Sequence, residues 1–179
     1  MNPNSATTLA DFTSPDLIIP HLRGHDVASV VQELSHALQR ENRVPDLLPF
    51  YHAALNRELL LSSHWDPDIA FPHARLPGLK GLSFALGRSD QPLSWGAKAS
   101  RPVRLVFLIA VPATEATQYL SLISGLARLA KEGQLVGKLR GATDAAQMFD
   151  VLQQIELRVS PTLFNSLNRA ATKSTSSDH

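Results

Sequence analysis

The stretch Val103–Val111 constrains the fold more than any other part of the chain. It reads Val-Arg-Leu-Val-Phe-Leu-Ile-Ala-Val, is almost continuously apolar, and is followed by Pro112. A membrane-spanning helix needs about 20 apolar residues, so this run is far too short to form one. Its length and its β-branched residues are typical of a central strand that is buried on both faces. A strand of this kind needs a covering layer on each side of its sheet.

The segments around this strand alternate between helical and strand patterns. Apolar residues recur at three- and four-residue steps from Val27 to Leu38, directly after Asp26, which predicts an amphipathic helix with a capping carboxylate. The other predicted elements are strands at 17–19, 69–71 and 82–86, a helix from Pro45 to about Arg57, a helix over 115–130 with Tyr119 on its apolar face and Gly133 as its stop, and a helix opened by Thr143-Asp144. This order predicts a layered α/β domain with a mixed sheet.

Charge and composition exclude several classes of function. The chain carries 17 Lys plus Arg against 16 Asp plus Glu, which argues against a dedicated nucleic-acid binder because such proteins have a basic excess. There is no cysteine, so disulfides, thiolate zinc sites and cysteine nucleophiles are excluded. The first residues are polar and do not resemble a signal peptide, which predicts a soluble, cytoplasmic protein without membrane insertion. We expect a flexible N-terminus at 1–8, one domain at 9–156, and a largely flexible tail at 157–179.

The strongest candidate for chemistry is His73, which follows a short predicted strand and Pro72. Strand ends are where α/β proteins place their sites, and proline fixes the backbone there. A neutral imidazole is a good nucleophile toward phosphorus, and an arginine fork matches phosphate oxygens. Arg57 and Arg75 are both near in sequence. Taken alone, a Pro-His pair is more often a turn with a surface histidine.

A metal-dependent hydrolase is another hypothesis for the same segment. Imidazole and carboxylate groups ligate metal ions, and four such residues lie close in sequence: His64, Asp66, Asp68 and His73. The more ordinary interpretation is a polar surface loop in which the two aspartates form Asx-turns.

The segment Ile69-Ala-Phe-Pro-His-Ala-Arg75 resembles the active-site signature of the type 2 enzyme IIA (EIIA) domains of the bacterial phosphotransferase system (PTS), the fructose–mannitol and nitrogen-regulatory family. Upstream, Arg57-Glu58 and the Ser62-Ser63 pair fall at the spacing of that family. Downstream, Gln91–Trp95 and Pro102–Phe107 resemble its aromatic step and its central strand. The similarity covers about Thr8 to Glu156.

The resemblance implies a mixed five-stranded β-sheet flanked by helices on both faces, the phosphotransferase/anion transport protein-like fold. It implies that His73 accepts a phosphoryl group from the phosphocarrier protein HPr, or from its nitrogen-system counterpart, and that Arg57 stabilises the phosphohistidine. The group would pass to an enzyme IIB (EIIB) or act as a regulatory mark on a kinase or transporter partner. Ser62, Ser63 and Arg75 are further phosphate-binding candidates. No metal, organic cofactor or nucleic-acid partner is implied.

The chain departs from the family pattern at two places. The family's glycine-rich loop before the signature reads His64-Trp-Asp-Pro-Asp68 here, and Gln118-Tyr119 stands where the family has a second histidine. Two aspartates near an incoming phosphate would add repulsion, so we expect phosphohistidine formation to be slower than in glycine-rich relatives. The alternative hypothesis is a binding module of the same fold that docks a partner without phosphoryl transfer.

Overall fold

The structure, a computed structural model, describes residues 6–65, 68–96 and 102–157. The strands of its mixed sheet are β1 (Ile18–Ile19), β2 (His64–Trp65), β3 (Ile69–Ala70), β4 (His73–Leu76), β5 (Ser83–Leu93) and β6 (Val103–Pro112). The helices are α1 (Val27–Arg40), α2 (Leu47–Leu60), α3 (Ala116–Lys131), α4 (Gly133–Gly141) and α5 (Ala145–Leu152). Within these ranges, none of the helices is both long and apolar enough to cross a membrane.

The apolar run of the sequence forms β6 in the middle of the sheet, as predicted. The strand order is β1-β5-β6-β3-β2, with β4 also paired to β6. One face of β6 presents Phe107 and Ile109 to a core built with α3, α4 and α5. The other face presents Val106 and Leu108 to a core built with α1 and α2. Helices therefore cover both faces of a mixed sheet, which confirms the predicted fold class.

The sheet has six named strands where five were expected, because the strand next to β6 is interrupted and forms β3 and β4. In β3, Ile69 lies opposite Leu105, and in β4 His73 lies opposite Ile109, so both strands pair with β6 in parallel at the same offset. The interruption falls at Phe71 and Pro72. Proline has no N–H to donate to a ladder, although its carbonyl still accepts from Ile109 N at 2.9 Å. Counted as one strand, β3 and β4 leave five positions across the sheet.

One predicted helix start is wrong, and two other helix ends agree with the sequence. Asp26 caps α1 as expected: its carboxylate accepts from the Ser29 hydroxyl at 2.6 Å and from Ser29 N at 2.8 Å, and these bonds, the hydroxyl's first, lower the pKa of Asp26. However, α2 begins after Asp46 rather than at Pro45. Helix α3 ends at Lys131, close to the predicted end, and Gly133, which follows the C-cap Glu132, also starts α4.

The two ends of the described chain meet. Leu9 N donates to Ile155 O at 3.0 Å and Leu157 N donates to Thr7 O at 2.7 Å, on either side of a bridge between Thr8 and Glu156. Residues 1–5 and 158–179, which contain most of the predicted flexible N-terminus and tail, lie outside the described residues. The predicted domain limits therefore stay predictions.

We expect Gly24→Ala to destabilise the domain. The loop before α1 is held on that helix because Arg23 N and Gly24 N donate to the Glu33 carboxylate at 3.0 and 3.1 Å. A Cβ at position 24 would lie 2.8 Å from Val30 N and 2.8 Å from Ser29 Oγ, and backbone cannot move aside cheaply. Overpacking of this kind costs about 1–3 kcal/mol. Thermal unfolding measures it, with Gly81→Ala as the control because a Cβ there meets nothing within 4 Å. Equal melting temperatures of the two variants would contradict the expectation.

Candidate active site

A pocket of about 300 Å³ lies beside β4, where the C-terminal half of β6 pairs with it. Its walls come from α2, β4, β6 and α3. The lining residues are Ala53, Arg57, His73, Ala74, Arg75, Val111 and Tyr119. The structure thus brings His73, Arg57 and Arg75 together, although Arg57 reaches the pocket from a different element than the other two.

His73 is the first residue of β4 and is half-buried. Its Nδ1 lies 3.3 Å from the carbonyl oxygen of Phe71, at the interruption between β3 and β4. A carbonyl can only accept, so this contact favours the tautomer in which Nδ1 carries the proton. In that tautomer, the lone pair of the neutral ring is on Nε2. The local backbone contact therefore leaves Nε2 as the ring nitrogen with a free lone pair.

The two arginines of the pocket are held by backbone carbonyls. Arg57 lies in the last turn of α2, where Nη1 donates to Leu61 O at 3.1 Å. Arg75 follows His73 by two residues, so both side chains leave β4 on the same side. Its Nη1 donates to Pro112 O and Ala113 O at 3.3 and 3.4 Å. These bonds leave further N–H groups of each five-donor guanidinium available for an anion.

Tyr119 also lines the pocket; in the sequence it was placed on an apolar helix face and, with Gln118, where the family has a second histidine, but it was not named as a site residue. Its ring centroid lies 6.1 Å from that of His73, and the Arg75 guanidinium carbon lies 5.3 Å from its centroid. Burial raises the pKa of Tyr119, and the charges of Arg75 and Arg57 oppose this only in part. The phenol therefore stays protonated at neutral pH and is a hydrogen-bond donor. The signal in the sequence for this role was a tyrosine, an aromatic residue with a polar hydroxyl, near the start of a predicted helix.

Ser62 and Ser63 do not line the pocket. Both hydroxyls donate instead to Glu58, at 3.3 Å from Ser62 Oγ and 2.7 Å from Ser63 Oγ. Glu58 is only 4% exposed and also accepts from Trp95 Nε1 at 2.8 Å. Sequence reasoning noted Glu58 only as the neighbour of Arg57. A carboxylate at a helix end, followed by two hydroxyl residues, was the signal that could have identified this cluster.

Asp68 does not act on the pocket as the sequence suggested. Its side chain is buried and its Oδ1 accepts from Arg140 Nη2 at 2.7 Å, so the guanidinium balances its charge. The predicted repulsion of phosphate by Asp68 is therefore wrong. Asp66 and Pro67 lie outside the described residues. In the described part of the chain, no group of three or more His, Asp or Glu side chains is arranged to hold a metal ion.

Exposed apolar side chains lie close to the pocket along the chain. Leu59, Leu60 and Leu61 are 64%, 86% and 64% exposed at the end of α2, next to Arg57. Trp65 is 43% exposed and packs edge-on against Phe71, and Leu120 is 50% exposed next to Tyr119. We call these five residues the apolar rim. Each of the five lies within eight positions of a pocket residue in the sequence, and exposed large apolar side chains near a pocket are candidates for a protein-docking surface.

A family model and a curated relative both match most of the chain. Residues 11–155 match the family model described as "Phosphoenolpyruvate-dependent sugar phosphotransferase system, EIIA 2". A nitrogen regulatory protein of Bradyrhizobium diazoefficiens is 28% identical over 144 residues, which are 80% of this chain and 94% of the relative.

Solved structures show the same fold. The crystal structure of nitrogen regulatory protein IIA-Ntr from Neisseria meningitidis superposes with a TM-score of 0.72 at 23% identity, covering 80% of this chain and 98% of that one. The enzyme IIA of mannitol from Escherichia coli, solved in complex with phosphorylated enzyme IIB, gives a TM-score of 0.63 at 18% identity over 78% and 95% of the two chains.

Proposed function

The chain belongs to the EIIA 2 family of the phosphoenolpyruvate-dependent sugar phosphotransferase system, and from this membership we propose that it is a phosphoryl carrier with His73 as the acceptor. The observation that carries the proposal is the pocket itself. It places an imidazole whose Nδ1 is held by a carbonyl beside two guanidinium groups and a protonated phenol. This set of groups suits a transferring phosphoryl group, because it combines a nucleophilic ring nitrogen with donors for the phosphoryl oxygens.

The proposed step is a displacement at phosphorus. The Nε2 lone pair of His73 attacks the phosphorus atom of the donor. The bond between phosphorus and the donor breaks, and its electron pair stays on the donor. The Nδ1 proton remains on the ring, directed at the Phe71 carbonyl, so no general base is required for attack.

The surrounding side chains stabilise charge on the phosphoryl oxygens. Arg57 and Arg75 offer guanidinium N–H groups, which bind phosphate oxygens in a fork geometry. Tyr119 offers a neutral O–H from the position where the family pattern has a histidine. Each group is already in the pocket before the phosphate arrives, so little reorganisation accompanies transfer.

The donor we propose is HPr or its nitrogen-system counterpart, docked on the apolar rim. These exposed leucines and the tryptophan, which are near pocket residues in the sequence, would give a carrier protein an apolar surface from which to bring its phosphoryl group to His73. The phosphoryl group then goes to an EIIB or remains as a regulatory mark. Similarity to nitrogen regulatory proteins over 80% of the chain favours the regulatory outcome.

Incubation with phosphoenolpyruvate, enzyme I and HPr, or with the nitrogen-system counterparts, tests the proposal. We expect the intact mass to rise by one phosphoryl group, and the modification to be lost in acid and kept in base, as is usual for phosphohistidine. No mass change with either donor set, together with retained binding of the donor protein, would support the binding-module hypothesis instead.

The apolar rim gives a prediction of its own. Leu60→Gln should slow phosphorylation about tenfold at donor concentrations below saturation, because it removes exposed apolar area that the donor would bury. Folding should be unaffected, since Leu60 is 86% exposed. Leu48→Gln is the matched control, because Leu48 is 63% exposed at the start of the same helix, about 18 Å away along its axis. Equal rates for the two variants would place the docking surface elsewhere.

A further inference from the structure

A buried carboxylate lies behind the pocket without lining it. Glu58 is 4% exposed and sits one residue from Arg57 in the last turn of α2. One of its oxygens accepts from Trp95 Nε1 and from Ser63 N, both at 2.8 Å, and the other accepts from Ser63 Oγ at 2.7 Å. Burying a charged group is unfavourable unless its hydrogen bonds are satisfied. This carboxylate is well satisfied, and Ser63 supplies two of the bonds.

The Ser63 hydroxyl also accepts a hydrogen bond. Its Oγ accepts from the Phe71 N–H at 3.0 Å while its own hydrogen is directed at Glu58. Phe71 lies between β3 and β4, so its N–H is not part of the pairing of either strand with β6. The same N–H also faces the Ser63 carbonyl at 3.4 Å, and the shorter bond to the hydroxyl adds to this contact in holding the Phe71 backbone in place.

The carbonyl of the same residue is the contact of the acceptor. Phe71 O lies 3.3 Å from His73 Nδ1. A chain of hydrogen bonds thus runs from the carboxylate of Glu58 through the hydroxyl of Ser63 to the backbone of Phe71, and from there to the imidazole. None of its first three members needs to touch a phosphoryl group.

We propose that Glu58 and Ser63 are positioning residues for His73: they hold the Phe71 carbonyl where it keeps the imidazole in its Nδ1–H tautomer, with Nε2 free to attack. The inference rests on the proposed function for its kinetic part, but the tautomer can be measured without any phosphoryl transfer. The carboxylate is needed because a single hydroxyl can donate to only one acceptor. Glu58 takes the Ser63 hydrogen, so that the Ser63 oxygen faces Phe71 as an acceptor.

The test is ¹⁵N NMR of the histidine ring in the unphosphorylated protein. The wild type should show His73 predominantly protonated on Nδ1 in its neutral form. Ser63→Ala should increase the Nε2–H fraction and slow phosphorylation about fivefold, the effect of losing one ordinary hydrogen bond. Ser63→Thr, which keeps the hydroxyl, should restore both properties. Ser62→Ala is the matched control, because Ser62 also donates to Glu58, at 3.3 Å, but is not in the chain that leads to Phe71.

Several results would overturn the proposal. A wild-type ring protonated mainly on Nε2 would do so without any variant, even if Ser63→Ala did not fold. An unchanged tautomer and rate in Ser63→Ala would do so as well, as would equal defects in the alanine and threonine variants. Failure of the proposed function is distinguishable, because it removes phosphorylation in every form of the protein and leaves the tautomer result unaffected.

Discussion

His73→Ala should abolish phosphate uptake, the largest effect that we expect of any single substitution in this chain. The pocket offers one imidazole between Arg57, Arg75 and Tyr119, and the hydroxyl of Tyr119 is a poor nucleophile because burial raises its pKa. Removing the ring leaves a charged pocket with nothing that can form a bond to phosphorus at neutral pH. Intact-mass measurement after incubation with phosphoenolpyruvate, enzyme I and the carrier protein reads the result directly.

A second histidine variant shows whether replacing any histidine with alanine reduces phosphorylation nonspecifically. His36 is exposed on α1, which packs near β5 on the other side of the sheet centre from β4. His36→Ala should be phosphorylated at the wild-type rate. Labelling that persists in His73→Ala would remove His73 as the acceptor and with it the function proposed here.

Arg57→Lys should lose much more transfer than stability. A lysine keeps the positive charge but replaces a planar, bidentate donor with a point charge, so the phosphoryl oxygens lose a directed pair of bonds. Hydrogen bonds to charged groups contribute about 1.5–3 kcal/mol, which corresponds to roughly a ten- to hundredfold slower step. The folded state loses little, because the side chain is only half-buried and a cation at a helix C-terminus remains favourable.

The chain contains a close control for this variant. Arg40 lies in the last turn of α1 and donates to the Asp16 carbonyl at 3.2 Å, much as Arg57 does to Leu61 in α2. Arg40→Lys should leave both the transfer rate and the melting temperature unchanged. If Arg57→Lys transfers phosphate as fast as the wild type, Arg57 has no part in the mechanism.

The parts of the fold that follow from local pattern were predictable from the sequence. The apolar run of β6 and the periodicity of α1 are signals carried by neighbouring residues, and they fixed the central strand and the layer that covers it. The interruption between β3 and β4 was predictable only in part. Pro72 predicts that the strand is interrupted. The common register of β3 and β4 along β6, however, depends on residues more than thirty positions away.

In the site, too, local features were predictable from the sequence and long-range contacts were not. Its acceptor and its arginines belong to a short signature and its flanks, so the sequence identified them as candidates. The sequence could not show that Glu58 accepts from Trp95 or that Asp68 pairs with Arg140, because these partners are distant in the chain. Trp95 lies 37 residues from Glu58, and Arg140 lies 72 residues from Asp68. Hydroxyl and carboxylate groups do not reveal by type whether they face a ligand or the protein interior.

The meeting of the two chain ends also sets when the domain can be completed during synthesis. Thr8 pairs with Glu156, and Leu9 belongs to the core that α3, α4 and α5 form with the sheet. Thr8 and Leu9 therefore leave the ribosome long before Ile155 and Glu156, and that core can close only when nearly all of the domain has been synthesised. The pocket depends on a much shorter span, from Ala53 to Tyr119. Its residues are all present on the growing chain while one side of the sheet still lacks much of its cover, so the nascent chain exposes apolar surface for most of its translation.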